Sequence, residues 1–244
     1  MNSPLSQFDI ICVIPLVLFG YDISVTNLTI STILALSIGG FILLFLFNNN
    51  LIPNIWQVFL ESVFIFIFRL VYSQTGKLGL VYFPFIFALF FFILLLNLIS
   101  LTPFGFAVTS HLIWTIYFSC SICLGIFFIG IIRHKIKFFK IFVPEVPLLL
   151  YPLMIFIEIF SYIIRSFSLA IRLTANIVAG HTLVHIIVNA IFFLCSLKKI
   201  IVILPYILLL FICVLELGIA CLQAYIFVTL TCMYLNDSLN LNSH

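Results

Sequence analysis

The chain has 244 residues, 65% of them hydrophobic and only 7% charged, with a formal net charge of +3 and a mean hydropathy of +1.41. A soluble domain is nearer half apolar and a quarter charged, so this composition excludes one and points to a polytopic helical membrane protein. The small excess of positive charge is scattered along the chain, so no nucleic-acid partner is expected.

The opening MNSPLSQFDIICVIPLVLFG has no basic n-region and no Arg-rich amphipathic character, and so resembles neither a secretory signal nor a transit peptide. A first apolar span is predicted at 25–47, closed by Asn48, Asn49, Asn50 and Pro53. Residues 55–72, IWQVFLESVFIFIFRLVY, carry Glu61 and Arg69 and lie between Pro53 and the polar SQTGK, which favours an interfacial amphipathic helix over a span. Further spans are predicted at 82–101, ended by Thr102 and Pro103, and at 111–132, stopped by the basic RHKIKFFK of 133–140. The Pro-rich VPEVPLLLYP then leads into a stretch over 153–197 that holds no proline. After Lys198 and Lys199 the last apolar stretch covers 200–235, before the polar tail NDSLNLNSH. The expectation is an all-α protein with about five membrane helices and one interfacial helix, forming a single membrane domain over 1–244.

With spans so placed, one side collects Arg69, Lys77, Arg133, Lys135, Lys137 and Lys140, and the other only Lys198 and Lys199. The positive-inside rule then puts the C-terminus on the cytoplasm-equivalent side and the N-terminus opposite. The stretch 153–197 is too long for an ordinary span. At roughly 1.5 Å per residue it reaches about 68 Å as a helix, against a hydrocarbon core of about 30 Å. Pattern alone leaves two solutions: one helix tilted by roughly 60°, beyond the usual range of about 0–40°, or a break near TANIVAGH with Arg172 in a surface loop.

Taken as one helix, the stretch places Glu158, Ser161, Arg165, Ser168, Arg172, Ala175, Asn176 and Ala179 at spacings of three and four on a single face. Small residues there allow another helix to approach closely. They do not account for two Arg and one Glu, since ionisable groups inside a membrane face a partner or a water-filled path. His181 is turned about half a revolution from Arg172, and His185 lies one turn further on that second face. In the last segment Glu216 and Gln223 share a face. If the two long helices pair antiparallel about Lys198–Lys199, Glu216 falls level with His181, and Gln223 falls between Arg172 and Asn176.

No metal site is expected. HTLVH has two His at zinc-binding spacing, but Thr182 stands where a metalloprotease motif needs Glu. Cys120 and Cys123 have CxxC spacing without a second pair, and the seven Cys all lie in or beside apolar runs as packing residues. No Gly-rich phosphate loop or nucleophile elbow is present, so no cofactor is expected.

The residues now become recognisable. SLAIRLTANIVAGHTLVHII (168–187) closely resembles the signature of subunit a of F-type ATP synthases, and LELGIACLQAYIFVTLTCMYL (215–235) resembles that subunit's last helix. The resemblance extends in order through SPLSQFDI, YFPFIFALFFFILLLNLISLTPFGFAVTSHL and FVPEVPLLLYPLMIFIEIFSYIIR. It implies two long, steeply tilted helices, paired as an antiparallel hairpin and packed against a rotating ring of c subunits. It further implies a non-catalytic, proton-translocating stator in the mitochondrial inner membrane, bound to peripheral-stalk and other Fo subunits and to lipid. The N-terminus would lie on the intermembrane-space side and the C-terminus in the matrix. By the same resemblance Arg172 matches the arginine that faces the ring carboxylate, and Glu158 the acid of the matrix half-channel. His181 and Glu216 match the acid/base pair of the other half-channel, in the mitochondrial rather than the bacterial order. Asn176 and Gln223 match polar groups beside the arginine; Arg165 looks closer to fungal, plant or protist forms than to animal ones. A stand-alone secondary transporter or proton channel is the alternative, but no internal repeat supports it.

Overall fold

The computed structural model describes residues 6–18, 21–22, 24–46, 54–102, 105–135, 138, 151–195 and 203–240. Among these residues six α-helices carry the fold: α1 Asn27–Leu46, α2 Ile55–Gly79, α3 Phe83–Ser100, α4 Leu112–His134, α5 Tyr151–Cys195 and α6 Ile203–Leu239. Among the described residues, five helical stretches are long and apolar enough to cross a membrane: 27–44, 55–100, 112–134, 151–195 and 203–239. The all-α expectation is borne out. The Pro-rich connector at 143–150 and the Lys198–Lys199 turn lie outside the described residues.

The element ends differ from the sequence expectation for identifiable reasons. Val25 and Thr26 are extended rather than helical, pairing antiparallel with Cys12–Ile14. Asn27 ties the two segments together: its Oδ1 accepts from the Ile11 N–H at 3.3 Å and its Nδ2 donates to the Asp9 carbonyl at 3.2 Å. In the first turn of α1 the Thr29 N–H donates to Thr26 Oγ1 at 3.5 Å, satisfying one of the donors that a helix start leaves open, and the Thr26 N–H donates back to Thr29 Oγ1 at 3.0 Å. Val17–Leu18 and Tyr21–Asp22 form a second small antiparallel pair.

Helix α2 continues past residue 72 through SQTG to Gly79, with Gly76 at φ 64° and ψ −161° inside it. Only glycine adopts that conformation without strain, so Gly76 absorbs the change of direction toward α3. The Thr75 hydroxyl donates to the Val71 carbonyl at 2.8 Å, and Ile67 and Val71 are fully buried. Helix α6 likewise runs beyond 235, because Leu239 packs into the core and its carbonyl meets His134 Nε2 at 3.1 Å.

Helix α5 is 45 residues long and passes through TANIVAGH without a break, so Arg172 is on a helix and not in a loop. Its one proline, Pro152, sits in the first turn, where no backbone N–H partner is lost. The contacts Arg165 to Tyr234, Asn176 to Gln223 and Gly180 to Glu216 run in opposite chain order, so α5 and α6 lie antiparallel. From the first contact to the second both helices advance by eleven residues; from the second to the third α5 advances by four and α6 by seven, and the long Glu216 side chain spans the difference.

Against α4 the arrangement is oblique. Thr115 Oγ1 meets Thr174 Oγ1 at 2.7 Å, and Ser119 Oγ meets Ser166 Oγ at 3.0 Å and donates to the Ser166 carbonyl at 2.8 Å. These points are separated by roughly 6 Å along α4 but by roughly 12 Å along α5. The core gathers Ile67 and Val71 of α2, Ile86, Phe87, Phe90 and Ile93 among others of α3, Ile122 and Ile126 of α4, Leu169 and Leu173 of α5, and buried residues of α6 from Ala224 to Leu239. On α5 no fully buried residue follows Ile177, and on α6 none precedes Ala220. The far half of the α5–α6 pair therefore projects beyond the core.

Candidate functional site

Two polar regions sit on the α5–α6 pair. The first is an open groove of ≈ 730 Å³ lined on α5 by Phe156, Ile157, Phe160, Ser161, Ile164, Arg165, Ser168 and Arg172, and on α6 by Ile226, Thr229 and Leu230. The residues predicted to share one face are thus together from Ser161 to Arg172. Arg172 is exposed, and among the described residues no acidic side chain lines the groove. Arg165 is half-buried with its guanidinium 5.5 Å from the centre of the Tyr234 ring. Tyr162 meets the same ring edge-on at 5.1 Å. A cation over an aromatic face is attracted by the ring quadrupole, more so away from water. Glu158 is partly buried two turns before Arg165 and does not line the groove.

One turn beyond Arg172, Asn176 Nδ2 donates to Gln223 Oε1 at 3.3 Å. Gln223 is buried, and its Nε2 has no hydrogen bond among the described residues. Asn97 of α3 comes close by: fully buried, it donates from Nδ2 to the Ala220 carbonyl at 3.4 Å and leaves Oδ1 without a partner among the described residues. Asn97 escaped the sequence reading because a single amide in an apolar run has no partner at helical spacing to mark it.

The second region lies further along. Glu216 reaches α5 at Gly180, where a Cβ would stand 2.8 Å from its Oε1. Glu216 Oε1 and His181 Nε2 are both buried without a hydrogen bond among the described residues. Glu216 is therefore level with the residue next to His181, while no hydrogen bond joins the two side chains. The His181 ring packs edge-to-face against Phe8 at 6.0 Å and 84°. His185 points back to its own helix, with Nδ1 3.0 Å from Asn189 Nδ2. Buried polar atoms without partners are costly and uncommon, so an unpartnered carboxylate oxygen, imidazole nitrogen and amide nitrogen on one helix pair mark a region built for more than packing.

The arrangement supplies a fixed cation in an open groove and, at another level, a titratable acid and base. Among the described residues no three His, Cys, Asp or Glu side chains gather as metal ligands. A family model described as the ATP synthase A chain matches residues 28–236. The ATP synthase subunit a of Chondrus crispus is 43% identical over 251 aligned residues, covering 99% of this chain and 98% of the relative. That of Acanthamoeba castellanii is 44% identical over 243, covering 98% of each. By the reach of the family model and by both identities, the chain belongs to the ATP synthase A chain family, the one its 168–187 and 215–235 motifs resemble.

Proposed function

We propose that the chain is the proton-translocating stator subunit of a rotary F-type ATP synthase in the mitochondrial inner membrane. Its partners are the c-subunit ring, peripheral-stalk and other Fo subunits, and lipid; ATP chemistry belongs to other subunits. The observation that carries this reading is Arg172, exposed in a groove that no acid lines among the described residues. A guanidinium in an apolar setting needs a counter-charge, and here that charge must come from another chain. A carboxylate on a c subunit fits the groove's chemistry.

In this scheme a proton enters from the intermembrane-space side through water at His181 and Glu216, whose unpartnered atoms are where water would bind. It passes to the ring carboxylate, with Asn176, Gln223 and His185 lining the approach. The neutralised carboxylate crosses the lipid, because carrying a charge there costs several kcal/mol more. After nearly a full turn it gives the proton to the matrix path near Glu158, and its charge is then drawn to Arg172, with Arg165 adding to the positive field. Arg172 also separates the two half-channels, since a guanidinium does not deprotonate in proteins. The drive is the membrane potential, worth about 2.3 kcal/mol per charge per 100 mV. The oblique crossing of α4 by the α5–α6 pair agrees with a steep tilt along the ring. Basic residues clustered at 133–140 agree with an N-terminus on the intermembrane-space side and a C-terminus in the matrix.

Arg172→Lys tests the gate. A lysine can lose its proton when desolvated, so the variant should lose ATP synthesis and ATP-driven pumping nearly as completely as Arg172→Ala. Wild-type coupling in an assembled Arg172→Lys complex would sink the gate role.

A further inference from the structure

The N-terminal residues SPLSQFDI share in the family resemblance, yet the proposed proton route uses none of them. Ser6–Phe8 form one turn of 3-10 helix, and the Phe8 ring lies edge-to-face on His181 at 6.0 Å and 84°. This placement is held from behind. Asp9 and Ile11 are fastened to the Asn27 side chain, Asn27 N–H donates to the Ile11 carbonyl at 3.2 Å, and Cys12–Ile14 pairs with Val25–Thr26. Phe8 is thus anchored to the foot of α1, while the ring it covers belongs to α5, far along the chain. The His181 face of α5 has left the core, since no fully buried α5 residue follows Ile177. Nevertheless His181 is partly buried, with Nε2 fully enclosed.

We infer that Phe8 is a wall of the proton entrance, seated on His181 so that water reaches the imidazole only along the side left open. A phenyl ring neither takes nor gives a proton, so Phe8 is a positioning residue: it holds the imidazole in one orientation and narrows the path beside it. The edge-to-face geometry is the one aromatic pairs prefer. This inference rests on His181 belonging to the proton route, and it adds that the route's outer wall comes from the chain's N-terminal segment rather than from the membrane helices.

The test uses the assembled ATP synthase in liposomes, carrying Phe8→Cys. A positively charged, membrane-impermeant methanethiosulfonate reagent is added on the N-terminal side. Wild-type complex treated alike controls for the native thiols, of which Cys12 is exposed. Phe8→Cys loses the ring that holds the imidazole and should conduct at a reduced but measurable rate. Modification should then lower conductance several-fold and a reducing thiol should restore it, with the wild type unaffected. A fully modified complex that conducts normally overturns the inference, and so does a thiol that the aqueous reagent never reaches. Phe8→Trp, which keeps a ring over the imidazole, serves should the cysteine variant fail to assemble: it should assemble and conduct more slowly, and wild-type conductance counts against the inference. Normal conductance in His181→Leu would instead overturn the proton route itself, so the two failures can be told apart.

Discussion

Glu216 crosses from α6 to α5 at a residue with no side chain to stop it. An added methyl at Gly180 would meet Glu216 Oε1 at 2.8 Å, Cδ at 3.0 Å and Cγ at 3.2 Å. These are the far atoms of a flexible side chain, so Gly180→Ala displaces the carboxyl and leaves the backbone where it is. In a helix interior alanine is also favoured over glycine by ~1 kcal/mol. Fold and function should therefore move in opposite senses: Gly180→Ala assembles as well as wild type but conducts protons several-fold more slowly, read as acidification by reconstituted complex. Unchanged conductance would show that the Glu216 position does not matter to transport. The ionisable residues were legible in the sequence because lipid makes each of them expensive, so spacing alone put Arg165 and Arg172 on one face. Gly180, Asn97 and Phe8 were not, since what they do depends on a neighbour distant along the chain.

At the scale of elements, helix existence could be read from hydropathy, while helix ends and helix faces could not. Residues 236–239 read as polar tail but are helical, because Leu239 is buried and its carbonyl meets His134. SQTG read as a flank but continues α2, because packing at Ile67 and Val71 outweighs local polarity and Gly76 takes the strain. The unbroken α5 could not be chosen over a broken one from pattern, since Gly180 and Asn176 weaken a helix without forbidding it. Besides the apolar packing of the core, two hydroxyl contacts join α5 to α4, Thr115 with Thr174 and Ser119 with Ser166. Removing one threonine hydroxyl leaves the other only its own helix, Thr115 donating to the Leu112 carbonyl at 3.0 Å or Thr174 to the Ala170 carbonyl at 3.2 Å; hydrogen bonds between membrane helices are worth on average about 0.6 kcal/mol, reaching about 1.7. Thr174→Val should lower the stability of the helix pair by about that much. Thr115→Val combined with Thr174→Val should cost little more than either alone, because either change already breaks the one hydrogen bond that joins them. Thermal unfolding of the purified complex reads both, and additive losses would mean the hydroxyls do not act as a pair.

For the molecule as a whole, the core was the least legible part. Lipid is as apolar as a protein interior, so a helix rich in Phe and Leu does not announce which face meets protein. Thus Phe87 and Phe91 are buried while Phe192 and Phe193 are exposed, with nothing in their local sequence to separate them. The relation between distant polar residues was more accessible, because antiparallel pairing converts sequence distance from a turn into depth. His181 and Glu216 come out at one level, with Glu216 against Gly180. Their side chains share no hydrogen bond, so the proposed link between them is a common water path rather than a direct bond. A path of that kind behaves as steps in series. Once one step is blocked, blocking the next removes little further flux. His181→Leu and Glu216→Leu should each abolish most proton conductance, and the double variant should stay within about a factor of two of the slower single variant. If the two residues served separate routes, their losses would multiply instead, and the double variant would fall far below either one. Conductance of the three complexes at equal assembly distinguishes the cases, and multiplied losses would remove Glu216 from the route through His181.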